Sequence, residues 1–345
     1  MDHDVLVIGG GSAGYAAART AESLGARTAV VDSGPLGGLC ILRGCMPTKA
    51  ILRSSDVAAL LRRAPEFGLR PVLAEADLSV IIDRKNRLVR EFADYRIDQL
   101  KRFPLYEQPA SFISPHEVLV GERVVSARNF IIATGSEVAE FPIPGLAEAG
   151  YLTSDHALEM REPPTSMIVL GGGPVALEFA QFYQRVGVRV SLIQRSAHVL
   201  SLGDEDLARP LEARLRAEGM QVFTGTRVLR AERNGAGRSV YFEHEGGEKR
   251  VTADVILMAL GRRPRIGKLN LEAAGVKTED GRVLVDATMR TSQPHIFAAG
   301  DVSGLQEVVH IAIQQGEIAA FNAVHPDRPA KTMDERLSAS VVFSD

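Results

Sequence analysis

Val5-Leu6-Val7-Ile8-Gly9-Gly10-Gly11-Ser12-Ala13-Gly14 decides the fold: an apolar run of strand length enters a glycine turn that opens an alanine-rich helix ending near Gly25. In such a strand-turn-helix Gly9 makes the tight turn, Gly11 lets the backbone approach a pyrophosphate, and Gly14 lets helix and strand pack closely. A pyrophosphate then rests against the helix N-terminus at Ser12 and Ala13, where backbone amides have no partner inside the helix. The stretch has an echo. Gly171-Gly172-Gly173-Pro174-Val175-Ala176 follows the apolar Met167 to Leu170 and opens a second helix ending near Gly187. Further strands are expected at 28–31 and 188–193, which makes each copy a βαβ unit and implies two dinucleotides.

The rest of the chain sets bounds. Its 345 residues, 45% hydrophobic, suffice for more than one core. A net charge of -3 and a pI near 6.3 provide no basic field for nucleic acid and no polybasic membrane anchor. The longest apolar runs, such as Val255 to Leu260, are strand-sized and too short to span a bilayer. Met1 leads straight into the first strand with no signal-like stretch, so the expected location is cytoplasmic.

Residues 77–103 read as a long helix with Ile81, Leu88, Phe92 and Tyr95 on one face and an Asp83–Arg87 pair at i, i+4. Residues 105–132 and 221–260 alternate polar and apolar in short runs, the second broken at Asn234-Gly235-Ala236-Gly237, and predict antiparallel strands. Pro142-Ile143-Pro144-Gly145 and Pro163-Pro164 punctuate the crossing into the second βαβ unit.

Cys40 and Cys45 are the only cysteines, within Gly37-Gly38-Leu39-Cys40-Ile41-Leu42-Arg43-Gly44-Cys45-Met46-Pro47-Thr48-Lys49. Two readings compete: a pair of small buried hydrophobes, or a redox pair. Two cysteines fall short of the roughly four soft ligands that a zinc or iron-sulfur site needs, so no metal is expected. On a regular helix, positions five apart have Cα atoms about 8 to 9 Å apart, whereas a disulfide needs about 4.4 to 6.8 Å. A redox pair therefore requires a distorted helix, and Gly44 permits the bend. In a reducing compartment such a disulfide is transient and catalytic.

The two fingerprints differ where the second strand of each unit ends. The first has Asp32, an acid placed to hydrogen-bond a ribose diol. The second has Gln194 followed by Arg195. A 2′-phosphate repels a carboxylate and attracts a guanidinium, so the second site favours NADP over NAD. The competing reading of Arg195 is a solvated surface arginine.

Taken together, these residues resemble the flavoprotein disulfide reductases with two dinucleotide-binding domains, the family of lipoamide dehydrogenase, glutathione reductase and mercuric reductase. The redox motif Gly-Gly-x-Cys-x4-Cys-x-Pro-Ser-Lys is present with Thr48 in place of serine, and Ala133-Thr134-Gly135, Gly261-Arg262-x-Pro264 and Ala299-Gly300-Asp301 follow in the family's order. The resemblance implies an α/β fold of two Rossmann-like domains, the second inserted in the first. The FAD domain would be residues 1–148 plus 266–330 and the NAD(P) domain 149–265, with 331–345 the start of an interface domain. FAD would lie on Gly9, Gly11, Ser12, Ala13 and Gly14, with Asp32 on the adenosine ribose and Asp301 on the flavin side chain. Gly38, Ala110, Thr134, Gly135, Gly300 and Ala312 would line it. The nicotinamide dinucleotide would lie on Gly171, Gly173, Ala176, Gln194, Arg195 and Gly261.

Lys49, paired with Glu178, would sit near the reactive edge of the flavin, and the helix beginning near Val309 would direct its dipole at the ring. Hydride would pass from NAD(P)H to flavin and then, as two electrons, to the Cys40–Cys45 disulfide. Cys45 would be the flavin-facing thiolate and Cys40 the thiol that meets substrate. His310 is read either as lining the flavin pocket or as having no catalytic duty. Pro174 stands where glutathione reductases carry a tyrosine over the nicotinamide pocket.

The activity implied is NAD(P)H-dependent reduction of a small-molecule disulfide or related acceptor, most like that of dihydrolipoamide dehydrogenase. A diaphorase, mercuric reductase-like or transhydrogenase-like enzyme and a non-catalytic FAD scaffold are the alternatives. No nucleic acid or membrane partner is expected. The family's interface domain pairs two chains and supplies a His-Glu pair, so the whole protein is expected to be a homodimer and a chain stopping at Asp345 to be monomeric and impaired in disulfide turnover.

Overall fold

In β1 (His3–Ile8) the residues Val5, Leu6 and Val7 are wholly inaccessible, as in a parallel strand covered on both faces. The computed structural model of the chain describes residues 1–70, 72, 75–334, 336 and 338–344. After β1 come α1 (Ser12–Ser23) and β2 (Thr28–Val31), which pairs parallel with β1 in the register Val5 to Thr28. The short helix α2 (Leu39–Leu42) stops at Arg43, and α3 (Cys45–Arg62) begins two residues later. This is the break that a redox pair requires. A Cβ on Gly44 would stand 3.2 Å from both the Cys40 Cα and the Leu39 carbonyl oxygen, a tight contact that a larger residue there would crowd.

α4 (Leu78–Leu100) is followed by β3 (Leu105–Tyr106), β4 (Ala110–Ser114), β5 (Glu117–Val120), β6 (Arg123–Ile132) and β7 (Ser136–Val138). Two expectations for α4 are corrected. Phe92 and Tyr95 are exposed, while Leu78, Ile82, Ala93 and Leu100 are the apolar residues it buries. Asp83 pairs with Arg161 at 2.6 Å rather than with Arg87. The face was set by tertiary contacts: buried Lys85 donates to the Leu158 carbonyl and to Glu159, which rotates Ile82 into the core.

The chain continues through α5 (Leu146–Ala149), α6 (Ser154–Ala157), β8 (Ser166–Leu170), α7 (Pro174–Arg185), β9 (Arg189–Ile193), α8 (Glu205–Ala217) and β10 (Gln221–Phe223). A meander of β11 (Arg227–Asn234), β12 (Gly237–His244) and β13 (Gly247–Ala253) precedes β14 (Val255–Met258). Then come β15 (Arg262–Pro264), the hairpin β16 (Thr278–Glu279) and β17 (Arg282–Val283), β18 (Ile296–Ala298) and α9 (Val309–Val324). The all-antiparallel expectation for 105–132 and 221–260 is corrected at the ends of both runs. β3 pairs parallel with β2, and the later part of β6 runs parallel to β1 and β18. β10 and β14 extend the parallel sheet of β9 and β8. These end strands are short and apolar, and such runs carry no period that separates parallel from antiparallel pairing.

By packing, the chain divides into two units, one of Met1–Gly44, Arg90–Val138 and Arg262–Ser340, the other of Cys45–Val89, Ala139–Gly261 and the residues from Val341 on. The first carries the sheet β3-β2-β1-β6-β5-β4 with β18 beside β6, and α1 and α9 pack together. The second carries β10-β9-β8-β14 and the three-stranded meander. This division differs from the expected boundaries in that 45–89 packs with the second βαβ unit. Ile51, Leu52, Leu78 and Ile82 share one core with Phe179 and Tyr183 of α7. Within the stretch expected to begin an interface domain, Met333 joins the core of the first unit. No helix among the described residues is long and apolar enough to cross a membrane.

Candidate functional site

In the first unit the glycine turn is closed by backbone. A Cβ on Gly14 would strike the Gly9 carbonyl oxygen, and one on Gly9 (φ +110°) would strike that of Ala133. Gly38 (φ +81°) brings the segment before Cys40 against the same turn, where a Cβ would lie 2.6 Å from the Gly11 Cα. Asp32, at the end of β2, accepts the Gly10 N–H at 2.6 Å and the Gly34 N–H at 2.7 Å. Each carboxylate oxygen retains lone-pair capacity for a ribose hydroxyl. Ala13, Ala133, Ala299 and Ala312 form a small apolar cluster that brings α1, the β6 exit and α9 together.

At the β18 exit, Gly300 (φ +79°) donates its N–H to buried Gln315 at 2.8 Å, which fixes the direction of Asp301. Asp301 accepts the Ser136 hydroxyl at 2.6 Å, and Ser136 in turn accepts Arg262 Nε at 2.8 Å. Thr134 is tied to the Arg265 carbonyl. Partial desolvation and the charge of Asp301 raise the carboxyl of the exposed Glu307 above its ordinary pKa, with Arg262 opposing them. Ala110 is buried in the apolar core with Phe112 and Val118, so any contact it makes with a nucleotide is through its backbone.

Sequence reasoning did not single out Ser136, Gln315, Glu307 or Arg96. Arg96 Nε and Nη1 are buried and bond to nothing among the described residues, and its guanidinium lies 4.3 Å from the centroid of Tyr15, on the first turns of α1. Desolvation lowers its pKa, yet a guanidinium remains charged. A half-buried cation with two nitrogens unpaired among the described residues, beside a glycine-lined helix N-terminus, fits an anionic group such as a dinucleotide pyrophosphate.

In the second unit the turn repeats. Gly171 (φ +120°) packs against the Ala259 carbonyl, and Pro174 occupies the first turn of α7, where a missing N–H costs nothing. A Cβ on Gly173 or Gly261 would meet no atom within 4 Å, which leaves open space at two of the positions expected to face a nucleotide. Ala176 is fully buried. Gln194 folds under Gly172, where a Cβ would lie 2.9 Å from its side chain, and Thr226 caps its backbone carbonyl. Arg195 is exposed and has no hydrogen-bond or ion-pair partner among the described residues.

A bidentate ion pair joins α3 to α7. Lys49 Nζ donates to both oxygens of Glu178, at 2.8 and 2.7 Å. The Glu178 side chain is 5% accessible and that of Lys49 32%. Lys49 stands four residues after Cys45, hence on the same face of α3. Phe343, which the sequence did not mark, donates its backbone N–H to Glu178 Oε1 at 3.1 Å. Cys40, on α2, and Cys45, the first residue of α3, are both half-buried. His310 is an exposed residue of the first turn of α9.

Comparison with known proteins bears on this arrangement. Residues 3–316 match the family described as pyridine nucleotide-disulphide oxidoreductase. The chain is 36% identical over 347 residues to a mercuric reductase from Staphylococcus aureus, covering 99% of the chain and 63% of the relative. It is 37% identical over 328 residues to a dihydrolipoyl dehydrogenase from Thermus scotoductus, covering 93% and 70% respectively. Among solved structures it resembles the Cu(II) complex of the HOCl-induced flavoprotein disulfide reductase RclA from Escherichia coli, with a TM-score of 0.79 and 26% identity over 91% of the chain and 69% of that structure. The chain spans 52% of a mercuric reductase from Bacillus cereus, so it corresponds to about half to two thirds of the mercuric reductases it matches.

Proposed function

The chain belongs to the pyridine nucleotide-disulphide oxidoreductase family, and on that premise we propose that it transfers two electrons from NAD(P)H through FAD to a Cys40–Cys45 disulfide and on to a small-molecule acceptor. In this reading FAD occupies the first glycine turn with Asp32 and Asp301, and the nicotinamide dinucleotide occupies the second. The observation that carries the proposal is the Lys49–Glu178 pair, which ties the helix that begins with Cys45 to α7. A nearly buried carboxylate that receives both its strong bonds from one ammonium fixes that ammonium in place, and a fixed cation is what a site needs where negative charge develops.

Bound FAD supplies the carrier that accepts hydride and releases electrons in pairs. The chain supplies the rest. Asp301 is held by the Ser136 hydroxyl, next to the Gly300 turn that Gln315 fixes, and would accept a ribityl hydroxyl. Lys49, four residues after Cys45 on α3, would place positive charge near that thiol, which favours the thiolate as nucleophile. Cys40 attacks the acceptor disulfide, releasing one thiolate and forming a mixed disulfide; Cys45 then attacks Cys40, releases the second thiolate and restores the protein disulfide. The sum is NAD(P)H, one proton and a disulfide giving NAD(P)⁺ and two thiols. NADP is favoured over NAD, because an uncharged Gln194 and an exposed Arg195 stand where Asp32 stands in the first unit.

The acceptor we favour is a lipoamide-type cyclic disulfide, which would be reduced to the dihydrolipoamide-type dithiol. Relatives named mercuric reductase make mercuric ion the second acceptor to assay. The whole protein is read as a homodimer, which sedimentation tests. The activity is tested by anaerobic titration of the FAD-loaded chain with NADPH while thiols are counted. One equivalent should raise two titratable thiols per chain. Flavin that bleaches with no thiol appearing would leave a diaphorase and overturn the disulfide route.

A further inference from the structure

Two consecutive residues, Phe343 and Ser344, are seated on the Lys49–Glu178 pair by three contacts of different kinds. The Phe343 N–H donates to Glu178 Oε1 at 3.1 Å. Its ring centroid lies 4.8 Å from Lys49 Nζ. The Ser344 hydroxyl donates to Gln181 Oε1 at 2.7 Å, one turn further along α7 than Glu178. Glu178 and Gln181 are three apart and therefore neighbours on one helix face. The segment is thus registered on α7 by hydrogen bonds while its aromatic ring meets the Lys49 ammonium.

We propose that Phe343 is a positioning residue for the proposed reaction: it clamps the Lys49 ammonium between its ring and Glu178 and so sets the electrostatic strength of that cation at the flavin. The proposal rests on the reading of Lys49 as the cation beside the flavin. A ring face attracts an ammonium, and the attraction grows where water is excluded. With the ring in place the Lys49 side chain is 32% accessible, so the ring and Glu178 leave it part-solvated. Without it, more water reaches the ammonium, raises the local dielectric and weakens every interaction the charge makes. Glu178 would keep the backbone N–H of residue 343 in any variant, so side-chain substitution isolates the ring.

The test compares Phe343→Leu, Phe343→Tyr and Lys49→Met in the FAD-loaded chain, reading the flavin midpoint potential and the rate of flavin reduction by NADPH. Phe343→Leu should shift the potential in the same direction as Lys49→Met, but less, and slow reduction by roughly threefold to tenfold, the range expected for one cation–π contact of middling strength. Phe343→Tyr, which keeps a ring face, should restore both. In the flavin-free protein the destabilisations by Lys49→Met and Phe343→Leu should be non-additive, because each removes the same contact. Unchanged potential and rate in Phe343→Leu, with Lys49→Met shifted, would overturn the role of Phe343. A Lys49→Met potential equal to that of the wild type would overturn the reading of Lys49 beneath it.

Discussion

Lys49→Met should be among the most costly substitutions of a solvent-accessible residue in the second unit. The wild-type ammonium meets both Glu178 oxygens, at 2.7 and 2.8 Å. At an effective dielectric near 20 the direct attraction at that separation is about 6 kcal/mol, most of which offsets the cost of taking the two charges out of water. Removing one partner of a buried pair costs about 3 to 5 kcal/mol because the other is left uncompensated. Here the carboxylate is 5% accessible but the lysine 32%, and the Phe343 N–H remains on one oxygen. Allowing for that solvent access and the remaining bond, the expected loss is about 2 to 3 kcal/mol. Glu178→Gln keeps an acceptor and should cost less. The assay is urea denaturation of the four members of the Lys49→Met, Glu178→Gln cycle, followed by circular dichroism. A coupling energy of about 1 to 2 kcal/mol is expected for contacting residues. A loss in Lys49→Met below roughly 0.5 kcal/mol, the range of ordinary surface changes, would refute the claim that the pair is a fixed, desolvated unit.

Three further outcomes are expected. Arg195→Ala should weaken NADPH by about tenfold or more, the worth of a charge-assisted phosphate contact, and leave NADH within about twofold; equal losses in a fluorescence titration would show that Arg195 does not read the phosphate. Gly14→Ala should destabilise by about 1 to 3 kcal/mol and yield protein that does not retain FAD, since the new methyl meets the Gly9 carbonyl; a yellow, stable Gly14→Ala would contradict the turn geometry. Glu307 has a raised folded-state pKa, so its contribution is favourable below the unfolded value near 4.3 and is lost as pH rises through the folded value. Glu307→Gln should therefore melt higher than the wild type at pH 7 and the difference should vanish near pH 4; a constant difference across that range would refute the assignment.

The βαβ units were legible because their glycines are demanded by backbone collisions. Gly14 against Gly9 and Gly171 against Ala259 permit no other residue, and the sequence records that demand directly. The break at Gly44 was legible because two cysteines five apart need a departure from regular helix to approach each other. The face of α4 was not, because Phe92 and Tyr95 fit an apolar period as well as Ile82 does, and the choice was made by Lys85 reaching Leu158 far along the chain. The grouping of 45–89 with the second βαβ unit likewise rests on Ile51 and Ile82 meeting Phe179 and Tyr183. Within the candidate site, Lys49 and Glu178 were found through a motif and a resemblance. Ser136, Gln315 and Phe343 act through a few hydrogen bonds and one ring face, and nothing in a serine, glutamine or phenylalanine announces that in sequence. Arg96 is intermediate: a charged residue late in a long helix reads as solvated until its nitrogens are found buried without partners.

The most direct test of the account is the absorbance of the FAD-loaded chain after anaerobic addition of one two-electron equivalent of dithionite. If Cys45 is the thiolate held beside the flavin and Cys40 the thiol that exchanges with acceptor, the two-electron-reduced protein should show a long-wavelength band from a thiolate next to oxidised flavin. The band should persist in Cys40→Ser, which leaves Cys45 in place, and be absent from Cys45→Ser. A band that survives Cys45→Ser unchanged, or a wild-type chain whose flavin is fully bleached by that single equivalent with no such band, would contradict the proposed path of electrons from flavin to the cysteine pair.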